Sequence, residues 1–93
     1  MKELLESAAR RSIDYLDGLD HRSVAPDPAA VAALNDLYEP LPEGPSSPEE
    51  VLQLLDQSVS PATMGMAGRR FFGFVIGGSL PASLAANWLA GAW

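Results

Sequence analysis

Few side chains in this sequence could carry out catalysis. There is one histidine, His21, one lysine, Lys2, and no cysteine, which excludes a disulfide framework and a thiolate metal site. A Ser-His-Asp triad would depend on His21 alone, and His21 lies in a charged connector that is typical of solvated residues. Glu49 and Glu50 fall on a helix face predicted to be solvated, whereas acid–base catalysis needs a carboxylate perturbed by burial or charge. By itself the sequence contains no credible catalytic apparatus.

Glycines near the C-terminal part of the chain allow two further interpretations. Gly77-Gly78-Ser79 precedes a predicted helix and could bind an anion. Because it lacks the full dinucleotide-binding or Walker pattern, we favour the interpretation that these glycines let the backbone pass close to other groups. Gly73 to Gly77 also fits the G-x-x-x-G spacing of membrane helices, within an uncharged stretch long enough to span a bilayer. Because Gly77, Gly78 and Pro81 interrupt that stretch and no basic cluster follows, we expect no membrane partner.

The charges divide the chain into two parts. All twelve acidic residues lie between Glu3 and Asp56, and no residue from Phe71 to Trp93 is charged. The net charge of −6 argues against nucleic acid as a partner. The apolar stretch instead requires a partner or the remainder of a larger core to cover it. Since Lys2 leads into charged residues and not into the apolar run of a signal peptide, we expect a cytoplasmic protein.

The first half of the chain is predicted to be helical. Apolar residues recur at helical spacing over residues 2–17, where they form one stripe: Leu5, Ala9, Ile13 and Leu16. Gly18 is placed to end this helix as a left-handed cap. Asp27 and Pro28 can start a second, short helix over residues 28–38.

Stronger start signals follow. Ser47, Pro48 and Glu50 form a capping box that begins a helix over residues 48–58. Residues 71–76 combine aromatic and β-branched side chains, which favours an extended or short-strand conformation. Pro81 then opens a final helix whose surface is almost entirely apolar.

An aromatic motif followed by paired glycines and a proline begins at Arg69. It reads Arg69-Arg70-Phe71-Phe72-Gly73-Phe74-Val75-Ile76-Gly77-Gly78-Ser79-Leu80-Pro81-Ala82 and continues through Leu84-Ala85 to Trp88-Leu89. This motif resembles the N-terminal part of the group II pyridoxal-phosphate-dependent amino-acid decarboxylases, which include aromatic-amino-acid and glutamate decarboxylases. Val24-Ala25-Pro26, Leu41-Pro42-Glu43 and the helix that contains Glu49 to Leu52 occur upstream in the family's order. The specific part of the resemblance is residues 69–93.

The resemblance implies that this chain is the N-terminal segment of a larger α/β enzyme of fold type I and is itself mainly α. Residues 1–62 would be a helical arm, and residues 63–93 would hold the aromatic pocket turn and the start of a buried helix leading into the cofactor domain. In such enzymes the N-terminal helices wrap around the second subunit of a homodimer. Carried over by position, the residues that contact the substrate side chain would be Phe74, Val75, Ile76 and Gly77. The cofactor, pyridoxal 5'-phosphate, and the catalytic lysine would belong to residues beyond this segment.

The sequence departs from the family at the entrance of the motif, where Gly68-Arg69 replaces the family's usual His-Pro or Ser-Pro. The uncharged turn at residues 74–77 predicts an aromatic or bulky apolar amino acid as substrate, in preference to glutamate or aspartate. An alternative interpretation is that the chain is a small helical protein without enzymatic activity. It would interact with a partner or associate with a membrane and would use residues 71–93 as its contact surface.

Overall fold

Four α-helices joined by irregular segments make up the chain, in a computed structural model that describes residues 1–93. They are α1 (Lys2–Asp17), α2 (Pro28–Ala33), α3 (Pro48–Leu54) and α4 (Pro81–Ala92). A 3-10 turn over Leu34–Leu37 extends α2, and a π-helical turn over Leu55–Val59 with a 3-10 turn over Ser60–Ala62 extends α3. There is no β-strand. The segment is therefore mainly α, as the sequence predicts.

Helix α1 has the predicted bounds, and much of its apolar stripe stays open to solvent. Leu5 and Ile13, which belong to the apolar stripe, are exposed. The side of α1 that faces α3 instead presents Arg11 and Tyr15, which bond to residues beyond the end of that helix. Gly18 follows α1 in a right-handed conformation, with φ −80° and ψ −9°, so the prediction of a left-handed cap is wrong. The apolar stripe of α1 is therefore only partly covered inside this chain, through a groove that it shares with α4.

The α3 segment shows how a proline reshapes the end of a helix. The sequence predicts a regular helix over residues 48–58, whereas α-helical bonding stops at Leu54 and the backbone widens into the π-helical turn. Pro61 has no N–H to donate to the carbonyl four residues earlier, and its ring would clash with that carbonyl. The hydrogen-bond pattern must therefore change before Pro61. This change buries Ser58, one of only two buried residues in the chain.

The start of α3 is built as predicted. The Glu50 amide donates to Ser47 Oγ at 3.4 Å, and the Ser47 amide donates to Glu50 Oε2 at 3.3 Å. Ser47 Oγ also donates to Glu49 Oε2 at 2.9 Å. The Glu49 backbone N–H, and then this Ser47 hydroxyl, stabilise the carboxylate and lower the pKa of Glu49 below the ordinary glutamate value. Local hydrogen bonds alone therefore define this helix N-terminus.

The chain folds without a hydrophobic core. No apolar side chain is buried, and the accessible surface of 7447 Å² compares with about 5,200 Å² expected for a compact monomer of this mass. The Cα radius of gyration is 15.0 Å, against about 12 Å for a compact domain of this length. Helix α4 makes no extensive contact with any other element. The helices thus leave an unusually large apolar surface uncovered.

We expect the 93-residue chain alone not to behave as a compact monomer. Because its apolar side chains remain accessible, it should self-associate or elute early in size-exclusion chromatography, bind a hydrophobic dye and unfold without a sharp transition. Replacing the exposed Leu5 and Ile13 by glutamine should reduce self-association without loss of helix content, measured by circular dichroism. A single compact monomer peak with cooperative unfolding would contradict the prediction.

A second prediction concerns the capping box. Ser47→Ala removes a donor to Glu49, so the pKa of Glu49 should rise toward its ordinary value in a carboxyl NMR titration. Because folding depresses this pKa, the stabilisation is complete above the pKa of the unfolded chain and is lost as pH falls through the folded pKa. Ser46→Ala, which leaves the box intact, is the matched control. An unchanged Glu49 pKa in Ser47→Ala would refute this assignment.

Candidate functional site

The aromatic segment contains a tight turn at Phe74 and Val75, within residues 71–76 whose composition favours an extended or short-strand conformation. Phe74 and Val75 both have left-handed backbone conformations, with φ of 59° and 53°. Such values are uncommon for any residue other than glycine and are outliers for a β-branched residue. Each costs on the order of 1–3 kcal/mol, and strain of this kind concentrates at functional sites.

A glycine and two aromatic rings form the base of this turn. The rings of Phe71 and Phe74 lie 5.7 Å apart between centroids, tilted by 48°. The Phe71 ring also lies against Gly73, where an added Cβ would come within 2.6 Å of the ring's Cζ atom. Only glycine leaves room for the ring in this position. The close approach thus depends on Gly73, whereas a Cβ on Gly77 would meet nothing within 4 Å.

The four residues predicted to contact the substrate are contiguous and all open to solvent. Val75, at the tip of the turn, has a relative exposure of 104%, and that of Phe74 is 71%. Ile76 and Gly77 are also exposed. No charged or polar side chain accompanies them between Phe71 and Gly78. The turn can therefore offer an apolar contact surface and nothing that could transfer a proton or bind a metal ion.

Arginine side chains attach the start of the aromatic segment to the connector that follows α1. Arg69 Nε donates to Asp20 Oδ1 at 3.1 Å. Arg70 Nη2 lies within hydrogen-bond distance of three backbone carbonyls in the connector, those of Leu19, Asp20 and Arg22. These contacts place the two ends of a stretch of about 50 residues side by side. The entrance where the sequence departs from the decarboxylase family is thus the best-anchored part of the motif.

Arg22 continues this network toward the end of α3. Its Nη2 atom donates to the Ser60 carbonyl at 2.9 Å, with the Pro61 and Thr63 carbonyls at 3.3 Å. Its guanidinium carbon lies 4.6 Å from the centre of the Tyr15 ring, a cation–π contact. The Tyr15 hydroxyl in turn lies 3.0 Å from Thr63 Oγ1. The sequence does not predict this cluster, because every residue has a backbone carbonyl and the residue type does not indicate which carbonyl accepts.

Two apolar grooves flank helix α4. One, of about 520 Å³, lies between α1, the end of α3 and α4, and the other, of about 390 Å³, lies between α1 and the start of α4. Leu16, Leu84 and Trp88 line both grooves, so the two form one continuous apolar surface. None of the helices is both long and apolar enough to cross a membrane.

His21 lies in a polar cleft of about 630 Å³ between α1, the connector and the end of α3. Arg11 and Asp56, which also line this cleft, form an ion pair with each other. Asp14 and Asp27 are further lining residues. No group of three or more histidine, aspartate or glutamate side chains is arranged to hold a metal ion. The single ion pair in this cleft joins α1 to the π-helical turn beyond α3.

The contrast between the two glycines of the turn gives a prediction. Gly73→Ala should destabilise the protein by about 1 kcal/mol or more, because the new methyl group must displace the Phe71 ring. Gly77→Ala has open space around it within this chain and should cost much less. Thermal unfolding of the two variants, in the longest form of the protein that can be expressed, makes the comparison. Equal losses would show that the ring does not pack on Gly73.

The chain matches no protein-family model, and no curated protein or solved structure is significantly similar to it.

Proposed function

We propose that this chain is the N-terminal segment of a pyridoxal-phosphate-dependent amino-acid decarboxylase that acts in the cytoplasm. In this proposal the helices contribute contacts to a second, identical subunit, and the turn at residues 74–77 forms one wall of the pocket for the substrate side chain. The observation that carries the proposal is the turn itself. It is an uncharged, strained turn at the centre of the family-like motif, and its side chains point into open space.

The uncovered surface of the chain supports an arm that folds against other protein. The accessible area exceeds that of a compact monomer by roughly 2,000 Å². Obligate interfaces bury about 2,000–5,000 Å² in total over both partners, so the excess is large enough for this role. The exposed apolar side chains also occur on more than one side, at Leu5 and Ile13 of α1 and at Leu89 and Trp93 in and just after α4. The remainder of the enzyme and the second subunit would cover these faces.

The residues of this chain do not form a site for the proposed cofactor. Pyridoxal phosphate enzymes hold the cofactor through a lysine, and the only lysine here is Lys2. Its side chain is 82% exposed and lies 3.9 Å from Glu6 on the outer surface of α1. We therefore assign the chain no catalytic step and place its contribution in binding and positioning alone.

The chemistry of the turn defines the class of substrate. A carboxylate buried against Phe74 and Val75 without a partner would cost several kcal/mol. An aromatic or aliphatic side chain would instead gain about 1.5–3 kcal/mol from burial at the same wall. We therefore propose aromatic or bulky apolar L-amino acids as substrates, in preference to glutamate and aspartate.

A non-enzymatic interaction protein remains the second candidate, and the continuous apolar groove lined by Leu16, Leu84 and Trp88 favours it. Such a protein would use residues 71–93 to bind a partner and would need no cofactor. The absorbance spectrum of the protein purified from its natural source separates the two. The absorbance band of protein-bound pyridoxal phosphate supports the enzyme. Absence of this band from the purified, folded protein supports the interaction protein.

A substrate panel tests the proposed function directly. We expect the kcat/KM for CO2 release to be higher with phenylalanine, tyrosine, tryptophan or their hydroxylated derivatives than with glutamate and aspartate. The reason is that the turn at residues 74–77 is apolar and offers no partner for a second carboxylate. Glutamate as the best substrate would overturn the assignment of residues 74–77 as the pocket wall. No CO2 release from any amino acid would overturn the enzymatic proposal itself.

Variants of the same protein refine the panel. Gly77→Val should lower activity more than Ser83→Ala, because a side chain at residue 77 would enter the space proposed for the substrate. Ser83 is a suitable control since its hydroxyl donates locally to the Leu80 carbonyl at 2.8 Å, within the first turn of α4. An equal loss in both variants would place Gly77 away from the substrate.

A further inference from the structure

We propose that Arg70 and Arg22 are positioning residues that set the location of the aromatic turn through hydrogen bonds to backbone carbonyls. The inference rests on the proposed function insofar as the turn lines a substrate pocket. Its structural basis is independent of that function. The two arginines lie in segments that are distant in sequence, and the carbonyl group of one accepts from the side chain of the other.

The connector after α1 is held from both sides. Arg70 donates to its carbonyls from the aromatic segment, and Arg22, within the connector, donates to the carbonyls at residues 60–63. A direct backbone bond from the Gly65 amide to the Val24 carbonyl, at 2.9 Å, adds a third attachment. Three segments are thereby joined in the order 60–65, 19–24 and 69–71. The aromatic segment begins at Phe71, one residue after Arg70, and the turn follows at Phe74 and Val75.

Over residues 72–75, packing on the helical arm adds little to the placing of the turn. Beyond Arg70, the backbone bond from the Phe71 amide to the Gly68 carbonyl, at 3.3 Å, is the last before α4 begins. Phe72, Phe74 and Val75 are exposed and make no buried contact with the helical arm. The contacts of Arg70 therefore hold the turn on its N-terminal side, while the approach of Gly78 to Ala67 limits it on the other side.

The nature of the contacts suggests why arginine occupies both positions. A guanidinium group carries five N–H donors, remains charged at all relevant pH values and forms charge-assisted bonds. Lysine retains the charge and three donors on a shorter side chain, and so should preserve part of the attachment. Methionine preserves much of the apolar stem and removes all of the donors. The series Arg, Lys, Met therefore separates the hydrogen bonds from simple side-chain packing.

The experiment compares Arg70→Met, Arg70→Lys and Arg22→Lys in the full-length protein, with Arg10→Met as the matched control. Arg10 is exposed on α1 and forms no ion pair. The first measurement is hydrogen exchange at the amides of Gly65 and Phe71, which does not require activity. We expect faster exchange in Arg70→Met, partial recovery in Arg70→Lys and no change in Arg10→Met.

The second measurement is the kinetics of decarboxylation with the best aromatic substrate. Loss of the charge-assisted bonds should raise KM roughly tenfold in Arg70→Met while kcat changes less than twofold, because the turn would bind the side chain and take no part in bond breaking. Arg70→Lys should recover part of the KM change. If Arg70→Met does not fold, the two lysine variants provide the same comparison at smaller amplitude.

The outcomes distinguish the two proposals. A wild-type protein without decarboxylase activity overturns the proposed function, and the exchange measurement then tests the attachment alone. If the enzyme is active and the Arg70→Met variant has the same amide exchange rates and the same KM as the wild type, the positioning role is overturned. A fall in kcat with unchanged KM also overturns it, because that result would assign Arg70 to the chemical step.

Discussion

Arginine donors bonded to backbone carbonyls hold together a chain that has no apolar core. Arg22 joins the connector after α1 to the end of α3, and Arg70 joins the aromatic segment to the same connector. The Arg11–Asp56 ion pair attaches α1 itself to the π-helical turn beyond α3. Exposed ion pairs contribute little stability on their own, whereas charge-assisted hydrogen bonds that are partly buried, such as the one from Arg22 to the Ser60 carbonyl, contribute more. The arrangement of the helices depends on these few contacts.

This dependence explains how the chain can keep its apolar surface available. An ordinary domain buries its apolar stripes, whereas Leu5 and Ile13 of α1 stay exposed and Arg11 and Tyr15 make the bonds to the segment beyond α3. Polar contacts link the segments, and apolar surface on both α1 and α4 stays accessible. A segment with this distribution suits a role in a larger assembly, in which hydrophobic burial takes place between parts and not within them.

The aromatic turn combines a fixed base with an exposed, strained tip. The Phe71 ring rests on Gly73 and lies 5.7 Å from the Phe74 ring, so the base is specified by shape. Val75, at the tip, holds a conformation that its β-branched side chain disfavours. Strained residues persist where surrounding contacts favour them, and the contacts here come only from one side. Under the proposed function, the substrate pocket would supply the other side.

Local signals in the sequence determined the elements whose causes are local. Lys2–Asp17 follows from one apolar periodicity, and the capping box at Ser47 and Glu50 needs only four consecutive residues. Tertiary structure alone decided which side of α1 packs, because the partners of Arg11 and Tyr15 lie more than 40 residues away. The same holds for Arg22 and Arg70, since every residue offers a carbonyl and composition cannot indicate which one accepts. Residue preference did not indicate the left-handed backbone at Phe74 and Val75, because both residues prefer an extended conformation. The ring of Phe71 packed on Gly73 accompanies the conformation that overrides this preference.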